Sequence, residues 1–414
     1  RLRNLRAWQA GLLIFSVALV VRLTFVLVFH PYRDLARYEL ERTALSLAQL
    51  GVFGNPYFSP TGPTAHVSPG YTLVLAAIFR LFGTGVPAEI VKELLACAIT
   101  ALLCGLMPLS AQWLRLPPAT GLWAGLVCAV FLFKPLVQVD GDWETPYTAL
   151  FLLLLTGMTV QLCHNRAPSL KFAWLYGLTW GLALLFASVL LPIFFVLLLL
   201  GLAFHRGSGR RQYVVFSLLA LLVVALCLAP WAIRNRYALG VPIITRSNFG
   251  LELMVSNNDE ATADQRANYL NGVYARYHPL LNPAEAEQVK TLGEVVYNQH
   301  ASARAQAWIR AHPGRFIELC LGRVADFWFY PDPSRIKAAF GDLTGLLGLA
   351  GLVWVFRTRP TTGVVLAVVL LLYPAPSYLV HVGVRQRFPI DWLLVLLSTA
   401  LVVHFTQLRS FKRP

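Results

Sequence analysis

The sequence predicts an all-α polytopic membrane protein of about ten transmembrane helices, with short helices at the membrane interface in the first outer loop. Three observations carry that prediction. Residues of the hydrophobic classes make up 57% of the 414, and only 13% are charged, about half the charged share of a soluble domain. Apolar runs of roughly 20 residues, enough to cross a bilayer, recur along the chain. The 35 Lys and Arg outnumber the 20 Asp and Glu, for a net charge of +15, and they fall mainly in short loops between apolar runs. That is the positive-inside distribution, so no nucleic-acid partner is expected. Anionic lipid or phosphate groups are the expected counterpart of the excess.

The expected spans, in order, are Trp8–Phe29, Glu89–Trp113, Thr120–Val139, Thr145–Cys163, Phe172–Ala187, Val189–Phe204, Tyr213–Ile233, Ala338–Phe356, Thr361–Val380 and Phe388–Phe405. Phe172–Phe204 is too long for one crossing and is divided at Ser188. The basic flank before Trp8 leads into a full-length span, which reads as a retained first span rather than a cleaved signal. The apolar piece Gly70–Gly83 is short for a span and is expected not to cross. With that assignment Arg1, Arg3, Arg6, Arg115, Arg166, Lys171, Arg206, Arg210, Arg211, Arg357, Arg359, Arg409, Lys412 and Arg413 share one side, and both termini are cytoplasmic.

The expected organisation is a membrane domain over 1–233, an outer region over 234–337 and a three-span segment over 338–414. The first domain carries an outer loop at 31–87. Ala36–Leu50 reads as a helix with one apolar face. In the outer region Pro283 marks a helix start and His312-Pro313 a break. Beyond it Phe316, Leu319, Cys320, Val324, Phe327 and Trp328 form an apolar stripe at helical spacing, expected to lie on the membrane or the bundle. The six cysteines contain no CxxC pair and read as small apolar residues of helices.

Ionisable groups held at a membrane boundary are costly without a use. The topology gathers Asp34, Tyr38, Glu39, His66, Asp140, Asp142, Glu144, Arg385 and Arg387 on the outer face. These residues resemble, motif by motif, an integral-membrane glycosyltransferase of the GT-C class. That group is related to protein O-mannosyltransferases (glycosyltransferase family 39-like) and to lipid A aminoarabinose transferases. The resemblance rests on an acidic motif after the first span (RDLARYELERTALSLAQLG) and an aromatic-Pro turn (GVFGNPY). It continues through a His/Lys-Pro-Pro-like turn into a short apolar helix (HVSPGYTLVLAAIFRLFG) and Pro-Trp-x-x-Arg-Asn (Pro230, Trp231, Arg234, Asn235). It ends with Arg-x-Arg-x-Pro (Arg385, Arg387, Pro389) at the last span. The match covers most of the chain in order. It departs at Leu35, where a second acid is expected, and at Ser68-Pro69, where a double proline is expected.

The resemblance implies a polyprenyl-phosphate sugar donor and, as acceptor, a glycan, lipid or protein. It implies Asp34 as the base, with Arg385 and Arg387 holding the departing phosphate. Tyr38, Glu39, His66, Asp142 and Glu144 are the further substrate-binding candidates. Competing readings are Asp34 as a helix cap, the two arginines as interfacial anchors and His66 as an ordinary hydrogen-bonded residue. A divalent metal at Asp140–Glu144 is possible but not indicated, and no cofactor is expected. The alternatives in function are a glycan ligase or polymerase with a diphosphate-linked donor, and a lipid-linked sugar transporter or flippase, for which Pro374 and Pro376 break a span. The expected location is the cytoplasmic membrane, with the site on the outer face.

Overall fold

The computed structural model describes residues 6–33, 35, 37–130, 141–165, 168–329 and 335–410. Among them there are helices, turns and two isolated bridges, and no strand. Hydrocarbon offers no partner for backbone N–H and C=O groups, so helices, which satisfy their own, are the form an apolar chain of this kind takes.

The helices, in chain order, are α1 Ala7–Phe29, α2 Glu39–Leu50, α3 Pro69–Phe82, α4 Val86–Gly105, α5 Met107–Trp113, α6 Pro118–Val130, α7 Thr145–His164, α8 Leu170–Phe186, α9 Leu191–Phe204 and α10 Ser208–Leu239. They continue as α11 Phe249–Ser256, α12 Gln265–Leu270, α13 Val273–Tyr277, α14 Pro283–Leu292, α15 Glu294–Ala311, α16 Pro313–Trp328, α17 Arg335–Thr358, α18 Pro360–Leu372, α19 Ala375–Leu379 and α20 Val384–Ser410.

Six stretches are long and apolar enough to cross a bilayer: Ala7–Phe29, Thr145–His164, Gly209–Leu239, Arg335–Thr358, Pro360–Leu379 and Val384–Gln407. Counting α4 and α5 as one span, bent by 44°, makes seven. Three further apolar helices, α6, α8 and α9, correspond to the remaining expected spans and are shorter than 18 residues as described. Hydropathy alone does not see the breaks. Pro108 at the start of α5 removes a helical donor and bends the chain. Extended backbone at Ala187 (φ −140°, ψ 100°) separates α8 from α9, each shorter than 18 residues, at the junction that the sequence placed at Ser188. In α6 the described helix stops at Val130, and the rest of the expected third span lies outside the described residues. Conversely, α10 runs 32 residues through Pro230 to Leu239 and ends at Gly240, whose φ of 81° closes it. α3, with 14 residues, measures about 21 Å, against an apolar bilayer core of about 30 Å.

α7 and α20 form the interior, 61% buried over their most apolar windows, whereas α1 and α17 are 22% buried and turn Leu12, Val20, Leu27, Leu346 and Val353 outward. α1 lies closely on α4 and α6. The contact is tight because two glycines meet: a Cβ on Gly11 would stand 2.5 Å from the Gly105 carbonyl oxygen. Small residues permit such backbone approach between membrane helices.

The segment between α10 and α17 folds over one end of the bundle. α11 packs on α15. Pro283 opens α14 behind the Asn282 side-chain cap, and His312-Pro313 separates α15 from α16, both as expected. Gly293 (φ 79°) splits the intervening helix in two. α16 buries Leu319 and Phe327 and also Arg323. That guanidinium donates to Asn257 Oδ1 (3.1 Å), Leu379 O (2.9 Å) and Ser256 O. All six cysteines are free.

Gly11→Leu should therefore separate α1 from α4. Overpacking of this kind costs about 1–3 kcal/mol, read as a lower melting temperature of the detergent-solubilised protein. An unchanged melting temperature would contradict the Gly11–Gly105 contact.

Candidate functional site

The site is built at the end of the bundle where α2, the loop before α3, the start of α4, the loop before α7 and the start of α20 converge. Residues 51–68 are irregular and partly buried, so their backbone groups need partners other than water. Some are local: Thr64 N donates to Phe53 O (3.1 Å) and Asn55 N to Gly62 O (2.9 Å). The remainder are distant. Arg234 Nη1 donates to Thr64 O (2.7 Å), its Nη2 donates to Phe53 O, and its guanidinium lies 5.2 Å from the ring centres of both Phe53 and Trp231. Glu294 accepts from Ala65 N (2.8 Å), Ser247 Oγ (2.6 Å) and Thr64 Oγ1. Trp231 Nε1 donates to Thr245 O and Asn235 Nδ2 to Ile243 O, both at 2.7 Å. The Pro-Trp-x-x-Arg-Asn motif is thus a clamp that fixes the first loop against the chain leaving α10.

Two ionisable clusters flank the first turn of α2. In one, Lys92 on α4, 1% exposed, donates to Glu41 Oε1, Glu89 Oε2 (2.5 Å) and Asp142 Oδ1 (2.7 Å). Burial, then the Asp142 charge, push the Glu41 carboxyl up to about 8, against the pull of Lys92. In the other, His278 Nε2 stands 3.6 Å from Glu39 Oε1 and the rings of His66 and His278 are 6.2 Å apart. Tyr57 OH is 3.3 Å from His66 Nδ1. His66 is 2% exposed. Burial, together with Arg246 and His278, pushes it down to about 3, so its imidazole is neutral at neutral pH. Beside this cluster Glu252 accepts from Asn248 Nδ2 (2.9 Å) and lies 3.6 Å from His381 Nδ1.

Between the clusters stands an aromatic platform. The Arg385 guanidinium lies 3.5 Å from the ring centre of Trp143, and the Tyr38 ring is 5.4 Å from Trp143. Arg385 makes no hydrogen bond or ion pair among the described residues. Tyr38 also borders an open cleft of about 430 Å³, walled by Leu35, Phe58, Tyr269 and Leu280 and carrying Arg37 and Arg42. Arg42 lies 4.2 Å over the ring of Phe58.

Of the residues singled out in the sequence, Tyr38, Glu39, His66, Asp142 and Arg385 come together here. Glu144 also stands at this end. It precedes α7, its side chain caps nothing, and its Oε2 is buried without a hydrogen-bond partner. Asp34 and Asp140 lie outside the described residues. α2 begins at Glu39 behind Tyr38, later than the helix expected from Ala36, and the cap expected at Asp34 lies outside the described residues. Arg387 is a correction. Its guanidinium is spent on Asp391 Oδ1 (2.9 Å), Trp328 O (2.8 Å) and Gly341 O (2.9 Å), fastening the end of α16 to α17 and α20. Only Arg385 of the expected pair is available to a ligand. Sequence reading missed Lys92, Glu89, Glu41, His278, Glu252, His381 and Trp143. The run Glu89-x-x-Lys92-Glu93 inside an apolar stretch was the signal for the first two. The imidazoles of the later loops carried none.

Two sets of side chains have the spacing of metal ligands: Glu41, Glu89 and Asp142, and Glu39, His66 and His278, each with ligand atoms within 4.8 Å of one another. The first already holds the Lys92 ammonium. In the second, His278 Nδ1 accepts from the Leu280 amide at 3.1 Å, which places the ring proton on Nε2, facing Glu39. Neither set fits a metal as it stands.

No family model and no curated protein matches the chain. Solved structures do. The oligosaccharyltransferase of Archaeoglobus fulgidus in the apo form aligns over 97% of this chain and 51% of its own, with a TM-score of 0.59 and 12% identity. The same enzyme, AglB, in complex with an inhibitory peptide and a dolichol-phosphate, gives 97%, 51%, 0.55 and 14%. A complex with Zn and sulfate gives 96%, 50%, 0.55 and 14%. The chain thus spans about half the length of these proteins and shares the fold of that half. The all-α polytopic architecture expected from the sequence is the architecture found.

Two outcomes follow from the geometry. Arg234→Ala leaves two carbonyls of the first loop without their charged donor and should cost about 2–4 kcal/mol, measured by thermal unfolding in detergent. Glu41 holds its proton to about 8, against an ordinary value of 4.5. The folded state therefore binds the extra proton, and stability falls as pH rises between those values. Glu41→Gln should flatten that fall in a pH series of melting temperatures.

Proposed function

We propose that the protein is a membrane glycosyltransferase that moves a sugar from a polyprenyl-phosphate donor to an acceptor on the extracytoplasmic face. The observation that carries this reading is Arg385, a guanidinium stacked on Trp143 with no ion pair among the described residues, at the point where the segment after α1 meets the start of α20. Arginine holds phosphate oxygens in a fixed fork and keeps its charge. The fold supports the reading, because the same architecture serves an oligosaccharyltransferase that has been captured with a dolichol-phosphate and a peptide.

In the proposed mechanism the lipid tail of the donor stays in the bilayer and its phosphate meets Arg385. The sugar lies toward Tyr38, and the acceptor approaches through the cleft beside Tyr38. Asp34 takes the proton of the acceptor nucleophile as the bond to the anomeric carbon forms, and the sugar–phosphate bond breaks toward Arg385, which stabilises the departing phosphate. His66, neutral and buried, shapes the wall rather than carrying charge. In this mechanism Glu144, whose Oε2 is buried without a hydrogen-bond partner, accepts a hydroxyl hydrogen from the substrate. Both termini lie on the cytoplasmic side, as the basic loops require.

The test is transfer by the purified protein, given polyprenyl-phosphate sugars. Asp34→Asn should lower turnover by about 10²–10⁴-fold, and Arg385→Ala by about 10²–10³-fold. Full activity of Asp34→Asn would remove the base assignment. Use of a diphosphate-linked glycan in place of every monophosphate donor would make the protein a glycan ligase or polymerase instead.

A further inference from the structure

Lys92 is a buried cation ringed by three acids, and the proposed mechanism does not use it. It lies near the start of α4, 1% exposed, with three carboxylates around its ammonium. An ammonium has three donors, and here each has its own acid: Glu41 from α2, Glu89 from α4 itself and Asp142 from the loop before α7. The ligand atoms of those acids fall within 4.8 Å of one another, the spacing by which three carboxylates would hold a divalent ion. The charge at their centre is the protein's own.

The loop that brings Asp142 is fitted to Lys92 by shape as well as charge. A Cβ on Gly141 would stand 2.8 Å from the Lys92 Cβ and carbonyl carbon, so the loop lies flush on this residue. Gly141 N donates to Glu93 Oε1 (3.3 Å), and Gly141 O accepts from Tyr71 OH. The next residue after Asp142 is Trp143, the platform under Arg385.

We infer that the Lys92 ammonium is a resident counter-cation standing where a divalent metal would otherwise join Glu41, Glu89 and Asp142, and that it positions the Gly141–Trp143 loop and, through it, Arg385. Lys92 is a positioning residue: it meets the substrate only through Trp143 and Arg385. A compact point charge suits this centre, which a planar guanidinium would not fill. The raised Glu41 carboxyl agrees: burial, then the Asp142 charge, favour its protonated form beside the ammonium. The role in transfer rests on the glycosyltransferase reading. The occupancy of the centre does not.

The experiment removes the ammonium and offers a metal. Full-length protein, wild type and Lys92→Ala, is titrated with Mn²⁺ and followed by electron paramagnetic resonance. The expected result is a single Mn²⁺ bound by Lys92→Ala and lost again when Asp142→Asn is added, with no such binding in wild type. In the transfer assay Lys92→Ala should lose at least 10²-fold in turnover, and Mn²⁺ or Mg²⁺ should restore at least tenfold. A folded Lys92→Ala that binds no Mn²⁺, or that transfers at the wild-type rate without added ion, overturns the inference. So does wild-type protein that binds Mn²⁺ and loses it in Glu89→Gln, a result that needs no Lys92 variant to fold. If wild type transfers nothing, the glycosyltransferase reading fails while the binding titration still decides the occupancy of the centre.

Discussion

The site depends on one constraint: an irregular, partly buried stretch of backbone at the end of a membrane bundle must find a hydrogen-bond partner for every polar group that water cannot reach. Residues 51–68 meet it with side chains from distant parts of the chain. Arg234 takes the carbonyls of Phe53 and Thr64, and Glu294 takes the amide of Ala65 and the hydroxyls beside it. A cation and an anion are used because charged groups make the strongest such bonds. They come from the end of α10 and the start of α15, so the segment after α10 is ordered by the same contacts that order the first loop. His66, Tyr57 and the first turn of α2 inherit their places from this arrangement.

Electrostatics then separates fixed from available charge. Arg22, Arg323, Arg387 and Lys92 are buried and engaged with carbonyl oxygens or carboxylates, as basic groups inside an apolar bundle must be. Arg385, two positions from Arg387, rests instead on an aromatic face. That contrast within one Arg-x-Arg motif arises from geometry: two positions apart on α20 the side chains point about half a turn apart, one into the junction with α17 and the other toward Trp143.

Much of the architecture was legible in the sequence because it follows from local rules. Hydropathy found the helices. Pro283 and His312-Pro313 marked real boundaries, and the excess length of Phe172–Phe204 forced the break that Ala187 makes. The expected topology grouped Tyr38, Glu39, His66, Asp142 and Arg385, and they meet at one end of the bundle. What could not be read was partnership. Lys92 meets Glu41 and Asp142 across some 50 residues on either side, and nothing in a window of sequence records that. The role of Arg387 was invisible for the same reason: its acceptors are mostly backbone carbonyls, which every residue possesses. Mean hydropathy likewise does not register a bend such as that between α4 and α5, which lies inside one expected span.

α10 has a mechanical consequence. At 32 residues it is about 48 Å long, far more than the roughly 30 Å of hydrocarbon it would cross. Its last turns carry Trp231, Arg234 and Asn235, which are fastened to the first loop and to residues 243–245. The helix is therefore a strut, and the first-loop turn is bolted to its tip. A tilt of α10 carries that turn, and the wall around His66, with it as one body. The cleft between Tyr38, Phe58 and Leu280 borders this fastened body.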